Sequence, residues 1–236
     1  MTDPVNVTIE DGVAVVRIDD GKANAVSHAV IDALHAALDR ASADATSVAI
    51  VGREGKFSAG FDLSVMTQGA DATRGLVGAG GELMMRVFTH PQPVVAGVTG
   101  HALAAGALLC LACDTRIGSA ELPAKIGLNE TAIGMGLPWY AIRLGEARLS
   151  MRYRQRSILQ AEIYDMAGAA DAGYLDELVA ADAVVDTAIE RARELGSLPG
   201  QAHGFTKRRL RQALADEVLA GLDDDMAQMV PPTPRG

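Results

Sequence analysis

The chain has 236 residues, of which 49% are hydrophobic and 22% charged, and its formal net charge is -9. This length suits one globular domain with a sizeable buried core. The acidic balance argues against nucleic acid or an anionic membrane surface as a partner. It does not exclude an anionic ligand, which needs only local N–H groups and one or two basic residues.

The pattern at the beginning of the chain leads us to expect no signal peptide. Met1–Glu10 is polar and lacks the basic start of a signal peptide, and no apolar run is long enough to span a bilayer. We therefore expect a cytoplasmic location and no membrane partner. Cys110 and Cys113 stand three residues apart without nearby histidines, which favours two small core residues over a metal or redox site.

The first elements follow from apolar alternation and from turn residues. Val5–Ile9 and Val13–Ile18 are short alternating runs separated by a turn, which predicts a β-hairpin. Ser27 is a candidate N-cap for a helix over His28–Ala41. Val48–Val51 is then a short, fully apolar run, typical of a buried strand.

The middle of the chain repeats this alternation of strands and helices. Gly69–Gly81 is rich in Gly and Ala and predicts a mobile surface loop before a short helix over Glu82–Phe88. A second buried strand is predicted at Val94–Val98, a helix at Leu103–Ala112 and a third strand at Arg116–Ser119.

The last third of the chain has a helical pattern. The predicted helices are Tyr140–Leu149, Arg152–Gln160, Ala183–Leu195 and Gly204–Leu219. The tail Pro231–Pro234 predicts disorder. Strands alternating with helices, followed by helices alone, indicate an α/β fold. We place a core over residues 1–182 and a helical C-terminal region over residues 183–236.

Two segments of small residues follow predicted strands. Lys56–Leu63 comes after Val48–Val51, and Gly100–Ala107 comes after Val94–Val98. A strand that runs through such a turn into a helix aims free backbone N–H groups outward. An ordinary tight turn or close helix packing would explain each segment when it is taken alone.

Taken together, these segments resemble the two oxyanion-hole segments of the crotonase (enoyl-CoA hydratase/isomerase) superfamily. The resemblance extends to Lys22–Ala25, Pro93–Asp114 and Ile126–Gly134, and so covers nearly the whole chain. It implies a spiral of ββα turns followed by helices that build trimers, often stacked as hexamers. It also implies an acyl-CoA thioester substrate, with coenzyme A as part of the substrate and no separate cofactor.

By this resemblance, the backbone N–H groups of Phe61 and Ala105 form the oxyanion hole. Fixed donors of this kind stabilise a developing enolate without reorganising, and one donor is worth ~2.7–4 kcal/mol. Glu130 matches the second glutamate of the hydratases, whereas Leu108 stands where their first glutamate would be. Ile126–Gly134 also resembles the same stretch of the mitochondrial-type 3,2-enoyl-CoA isomerases.

A single carboxylate beside an apolar wall suits a 1,3-proton shift that needs one base and no water. We expect burial against Leu108 and Ile133 to raise the pKa of Glu130. The alternative for Glu130 is a structural carboxylate paired with a nearby Arg or Lys. Asp62 is expected to cap the helix after the first turn, and Asp114 is expected to pair with Arg116.

The remaining substrate contacts are also implied by the resemblance. The residues expected along the adenine and pantetheine path are Lys22, Ala23, Ala59, Gly60, Asp62 and Leu63. Leu108 contributes the apolar wall. Lys207, or Arg208, is expected to reach the CoA phosphates, from the same subunit or from a neighbouring one. A solvated helix face is the alternative for this basic run.

Three functions are therefore consistent with the sequence. The first is an isomerase that converts a 3-enoyl-CoA into the trans-2-enoyl-CoA during fatty acid oxidation. The second is a hydratase or another thioester enzyme of the superfamily, which would need a further acid such as Glu82. The third is a non-catalytic acyl-CoA binder, because Ala104 and Ala105 replace a pair that often contains Gly and because Phe61 is bulky for its position.

Overall fold

The computed structural model describes residues 3–230, and these form three β-sheets with α-helices packed around them. The strands are, in chain order, β1 (Val5–Glu10), β2 (Val13–Ile18), β3 (Ala25–Val26), β4 (Ser47–Val51), β5 (Gly55–Ser58), β6 (Gly60–Phe61), β7 (Val94–Gly97), β8 (Gly100–Leu103), β9 (Thr115–Gly118), β10 (Lys125–Gly127), β11 (Tyr164–Asp165) and β12 (Glu177–Leu178). The helices are α1 (His28–Asp44), α2 (Leu63–Met66), α3 (Ala70–Thr89), α4 (Ala105–Ala112), α5 (Trp139–Arg148), α6 (Met166–Ala172), α7 (Val184–Gly196), α8 (Gly200–Ala220) and α9 (Leu222–Gln228).

The sheets repeat one structural unit along the chain. The main sheet has the order β1-β2-β4-β7-β9-β12, and the small sheet has the order β11-β10-β8-β5. Apart from the β1–β2 hairpin and the β10–β11 pair, neighbouring strands run parallel. Each of β4, β7 and β9 is followed along the chain by a strand of the small sheet, namely β5, β8 and β10. The predicted crotonase-type spiral of ββα turns is therefore confirmed.

The main sheet is buried on both faces, which explains why its strands read as continuous apolar runs. All five residues of β4 are buried. Alternate residues such as Val48 and Ile50 point into the larger core, which includes α1 and α3. Ala49 and Val51 point to the other face, where they pack with Ala188 of α7. The proposed division at residue 182 stays a prediction, but α7 packs directly on the core sheet.

Helix α1 agrees with its sequence pattern. The Ser27 side chain accepts a hydrogen bond from the backbone of Val30, which satisfies one of the free N–H groups at the helix start. The buried face includes Ile31, Leu34 and Leu38. The N-cap and the periodicity of the apolar residues thus place this helix correctly.

The predicted mobile loop over Gly69–Gly81 is wrong, because these residues form the first half of α3. Glycine lowers intrinsic helix propensity by about 1 kcal/mol relative to alanine, which is why the sequence indicates a loop. Tertiary packing outweighs that cost here. Bulky neighbours lie against Gly80 and Gly81, where a side chain would not fit.

Three smaller predictions are also corrected or remain outside the described residues. The helix expected to start at Leu103 starts at Ala105, because β8 continues through Leu103. The helix expected over Arg152–Gln160 is only the π-helical turn Gln155–Leu159. The tail Pro231–Pro234 lies outside the described residues.

A buried ion-pair cluster joins α8 to the end of α4 and to β7. Asp114 accepts hydrogen bonds from Lys207 Nζ at 2.7 Å, Arg211 Nη1 at 2.6 Å and the backbone of Val94 at 2.7 Å. The expected pairing of Asp114 with Arg116 is wrong, because the guanidinium of Arg116 binds Asp176 instead. Asp114 thus anchors the C-terminal helices on the core.

Both cysteines are free and buried, as expected for core residues. Burial raises the pKa of the Cys110 thiol to about 12, so this thiol stays protonated and unreactive. No helix within residues 3–230 is long and apolar enough to cross a membrane.

Asp114→Asn should destabilise the fold by about 3–5 kcal/mol, since it leaves two buried cations without their carboxylate. Urea unfolding at neutral pH measures the loss. Glu162→Gln is the matched control, because it breaks the exposed pair with Arg156, and exposed ion pairs contribute little to stability. Equal losses in the two variants would show that the Asp114 cluster does not hold α8 to the core.

Candidate active site

The first backbone N–H groups of α4 have no carbonyl acceptor within the helix. The first hydrogen bond within the helix runs from Leu108 N to Ala104 O at 3.0 Å. The N–H groups of Ala105 and the two residues after it therefore have no acceptor within the helix. Ala104 has φ +50° and ψ −122°, a strained conformation for a residue with a Cβ atom, and its own N–H is bound by Gly127 O.

Strand β6 brings Phe61 next to this helix start. The N–H of Asp62 bonds to Val26 O of β3 at 3.1 Å. Successive N–H groups along a strand point to opposite sides, so the N–H of Phe61 points away from β3. A Cβ atom at Gly60 would lie 2.9 Å from Ala104 Cβ and 3.6 Å from Ala105 N. The two predicted hole segments are thus in direct contact.

Two glycines make this close approach possible. Gly60 has φ +102°, which side chains rarely allow, and has no room for a Cβ atom. A Cβ atom at Gly106 would lie 2.3 Å from Ser58 O, so only glycine lets α4 pack this closely on β5. The two glycines therefore determine how near the Phe61 and Ala105 donors can come to each other.

Asn24 holds the segment Lys22–Ala25 against Lys56–Leu63, the segment that contains Phe61. This role was not predicted from the sequence. The Asn24 side chain is fully buried and donates to Ile18 O at 2.8 Å and to Phe57 O at 3.2 Å. The backbone carbonyl oxygen of Asn24 accepts a hydrogen bond from Ser58 Oγ at 2.7 Å. Its φ of +53° is one that Asn tolerates better than most residues. That tolerance is the one signal in the sequence that could have indicated this role.

Glu130 is a buried carboxylate that forms no ion pair within residues 3–230. It follows β10, is 3% exposed, and its Oε2 has no hydrogen-bond partner among residues 3–230. Burial raises its pKa from an ordinary 4.5 to about 7, against an opposing hydrogen bond from its own backbone N–H. The expected rise in pKa is confirmed. The alternative of a carboxylate paired with Arg or Lys is wrong within the described residues.

Leu108 lies on α4 three residues after Ala105, one helical turn further along the same side. It is fully buried in the main apolar core. Tyr140 of α5 is near Glu130: burial raises the pKa of its phenol, and the Glu130 charge raises it further. Burial is the main cause of the raised Glu130 pKa, and no second carboxylate in the described part of the chain contributes to it.

The residues predicted along the coenzyme path form one edge of the molecule, with one exception. The β3–β6 pair places Lys22 and Ala23 beside Ala59–Leu63, and Ala59 N bonds to Ala23 O at 3.0 Å. Within this edge, Lys22, Ala59 and Leu63 are exposed. Asp62 caps α2 as predicted, accepting a hydrogen bond from Ser64 N at 2.8 Å.

Lys207 is the exception. Its side chain is 5% exposed, and its ammonium donates to Asp114 and to Gln92 O inside the protein. Burial lowers its pKa, while the charge of Asp114 opposes that shift. The prediction that Lys207 contacts the CoA phosphates is therefore wrong for this arrangement of α8, because the side chain points into the core.

A row of basic side chains crosses the small sheet instead. Lys56 of β5 is the register partner of His101 of β8, and His101 Nδ1 accepts a hydrogen bond from Lys125 N at 3.1 Å. Burial lowers the pKa of His101, and the charges of both lysines lower it further. Neither lysine forms an ion pair within the described residues. These residues are far apart in sequence, so only the strand register could reveal the row.

The comparisons with known proteins agree with this geometry. A family model described as enoyl-CoA hydratase/isomerase matches residues 8–232. An enoyl-CoA hydratase/isomerase family protein from Pseudomonas syringae has a TM-score of 0.93 at 40% identity, over 97% of this chain and 99% of that one. An enoyl-CoA hydratase from Mycobacterium marinum has a TM-score of 0.90 at 36% identity, over 95% and 99% of the two chains. Human mitochondrial enoyl-CoA delta isomerase 1 is 28% identical over 223 residues, covering 93% of this chain and 74% of the human protein.

The raised pKa of Glu130 predicts a pH-dependent cost of folding. Between about pH 4.5 and 7 the folded state holds this proton more tightly than the unfolded chain, so stability is lost as pH rises through that window. Glu130→Gln, which does not titrate, should therefore gain stability relative to wild type by on the order of 2–3 kcal/mol between pH 5 and pH 8. Denaturant unfolding at both pH values measures the difference. A difference that does not change with pH would mean that Glu130 is solvated or paired.

Proposed function

The chain belongs to the enoyl-CoA hydratase/isomerase family, and we propose that within it this chain converts a 3-enoyl-CoA into the trans-2-enoyl-CoA. The observation that carries the proposal is a single buried carboxylate, Glu130, with Leu108 in the place of a second one. Hydration requires two carboxylates that hold and activate a water. With Leu108 in the place of the first carboxylate, only one of these two groups is present. Double-bond migration requires only one base.

The reaction begins with proton transfer from C2 of the substrate to Glu130. A pKa of about 7 makes this carboxylate a stronger base than an exposed glutamate, while about half of it is still ionised at neutral pH. The electrons of the broken C–H bond move into the thioester carbonyl, which yields a dienolate oxygen. The N–H groups of Phe61 and Ala105 bind that oxygen in its charged form more strongly than the neutral carbonyl.

The second step returns the proton. Glu130 protonates C4, and the electrons of the C3–C4 double bond form the new C4–H bond. The electrons of the C1–C2 double bond of the dienolate move to C2–C3, and a lone pair of the oxygen restores the carbonyl. No atom is gained or lost, so no water or cofactor takes part. The apolar surroundings of Leu108 support this cycle because they keep the proton on the carboxyl group between the two transfers.

The coenzyme part of the substrate needs cations. Lys22, Lys56 and Lys125 carry positive charge without ion-pair partners in the described residues, and His101 lies in the same row as Lys56 and Lys125. These side chains support phosphate binding in place of the buried Lys207.

Self-assembly of the chain, as a trimer or hexamer, is part of the same proposal. Large apolar side chains on the C-terminal helices are exposed in the single chain, among them Phe205 at 56% and Leu210 at 77%. Burial of such residues favours association.

Glu130→Gln should slow isomerisation of 3-hexenoyl-CoA by about 10²- to 10⁴-fold, because it removes the base and keeps the shape of the site. Product formation is followed by chromatography. Glu190→Gln, a change at an exposed carboxylate on α7, is the matched control and should retain the wild-type rate.

Two outcomes would contradict the proposal. Hydration of trans-2-hexenoyl-CoA by the wild-type protein at the rate of isomerisation would favour a hydratase. A wild-type protein that binds both thioesters and converts neither would favour a non-catalytic acyl-CoA binder.

A further inference from the structure

The backbone N–H of Phe61 has a role in the proposed reaction, but its side chain has none. The side chain nevertheless fits a notch in α3, which is the space left by the missing side chain of Gly80. A Cβ atom at Gly80 would lie 2.5 Å from both Cε1 and Cζ of the Phe61 ring. The ring is 9% exposed and belongs to the main core, so it has little space into which to move. Glycine at position 80 is therefore required by the phenyl ring.

The α3 side of this contact is held in place by Tyr140. A Cβ atom at Gly81 would lie 2.8 Å from Tyr140 Cδ1, and the Tyr140 hydroxyl donates to Val77 O at 3.2 Å. Tyr140 is fully buried. The segment of α3 that receives the Phe61 ring is thus fixed by a second aromatic side chain and cannot readily move aside.

The backbone of Phe61 is packed as closely as its ring. Phe61 follows Gly60, where an added Cβ atom would lie 2.9 Å from Ala104 Cβ and 3.6 Å from Ala105 N. Helix α3, the Phe61 ring, the Phe61 backbone and the start of α4 therefore form one continuous series of close contacts. A displacement of the ring at one end would shift the donor at the other end.

We propose that the contact between the Phe61 ring and Gly80 sets the position of the Phe61 N–H donor, and that Gly80 is a positioning residue for the oxyanion hole. The inference rests on the role of the Phe61 N–H in the proposed function. It explains why a phenyl ring is accommodated at position 61, since the notch at Gly80 provides the volume that the ring needs.

The test compares alanine substitutions at two glycines of the same helix. Gly80→Ala forces the ring to move, and it should lower kcat for 3-hexenoyl-CoA by about 10-fold or more with KM changed less than about twofold. A donor that acts mainly on the transition state affects kcat in this way. Gly75→Ala is the matched control, because a Cβ atom there meets nothing within 4 Å, and its kcat should stay within about twofold of wild type.

A second variant distinguishes a positioning role of Gly80 from a general disruption of the fold by the substitution. Phe61→Leu combined with Gly80→Ala keeps the backbone donor and shortens the side chain, so its kcat should exceed that of Gly80→Ala several-fold. Phe61→Leu alone leaves the notch partly empty and should show an intermediate loss. Should Gly80→Ala fail to fold, Phe61→Leu alone decides: wild-type kcat in that variant would overturn the inference.

A spectroscopic readout is independent of turnover. The infrared stretch of hexanoyl-CoA labelled with ¹³C at the thioester carbonyl should move to lower frequency on binding wild type, because the hole polarises the carbonyl. The shift should shrink in Gly80→Ala and recover in the double variant. An unchanged shift and kcat in folded Gly80→Ala, or no recovery in the double variant, would overturn the role of Gly80. No shift in the wild type would instead show that no oxyanion hole polarises the carbonyl, and this result would contradict the proposed function itself.

Discussion

The site depends on the close approach of β6 to the start of α4. Gly60 and Gly106 leave no room for a Cβ atom, and Ala104 adopts a positive φ at the same point. Backbone strain of this kind persists only where the surrounding structure fixes it. Here the parallel small sheet supplies that support, because it places β5 and β8 side by side with their carboxyl ends at the same edge. This close approach is what the proposed oxyanion hole of the Phe61 and Ala105 N–H groups requires.

The second requirement is a base that stays chemically isolated. A buried carboxylate normally acquires a cation or several hydrogen bonds, since an unpaired buried charge is costly. Asp114 satisfies that rule with Lys207 and Arg211. Glu130 does not, and its raised pKa is the consequence. The contrast between these two acids separates a carboxylate that stabilises the fold from one available for proton transfer.

The sequence was sufficient for the features that local chemistry determines. The Ser27 cap, the buried strands and the small-residue turns before Phe61 and Ala105 follow from their own residues and were placed correctly. The helix over Ala70–Thr89 could not be predicted in this way, because the rings that lie against its glycines come from distant parts of the chain. The ion pairs of Asp114 and the basic row across the small sheet depend on register and packing for the same reason.

Transfer of the substrate's own hydrogen tests the central claim of one isolated base most directly. The substrate is 3-hexenoyl-CoA with deuterium at C2, and mass spectrometry together with NMR locates the label in the product after a single turnover in ordinary water. One buried carboxyl group that takes the deuteron and returns it should leave a substantial fraction of the label at C4. Complete replacement by solvent hydrogen would show that water reaches the base during the reaction, and it would contradict a dry site built around Glu130.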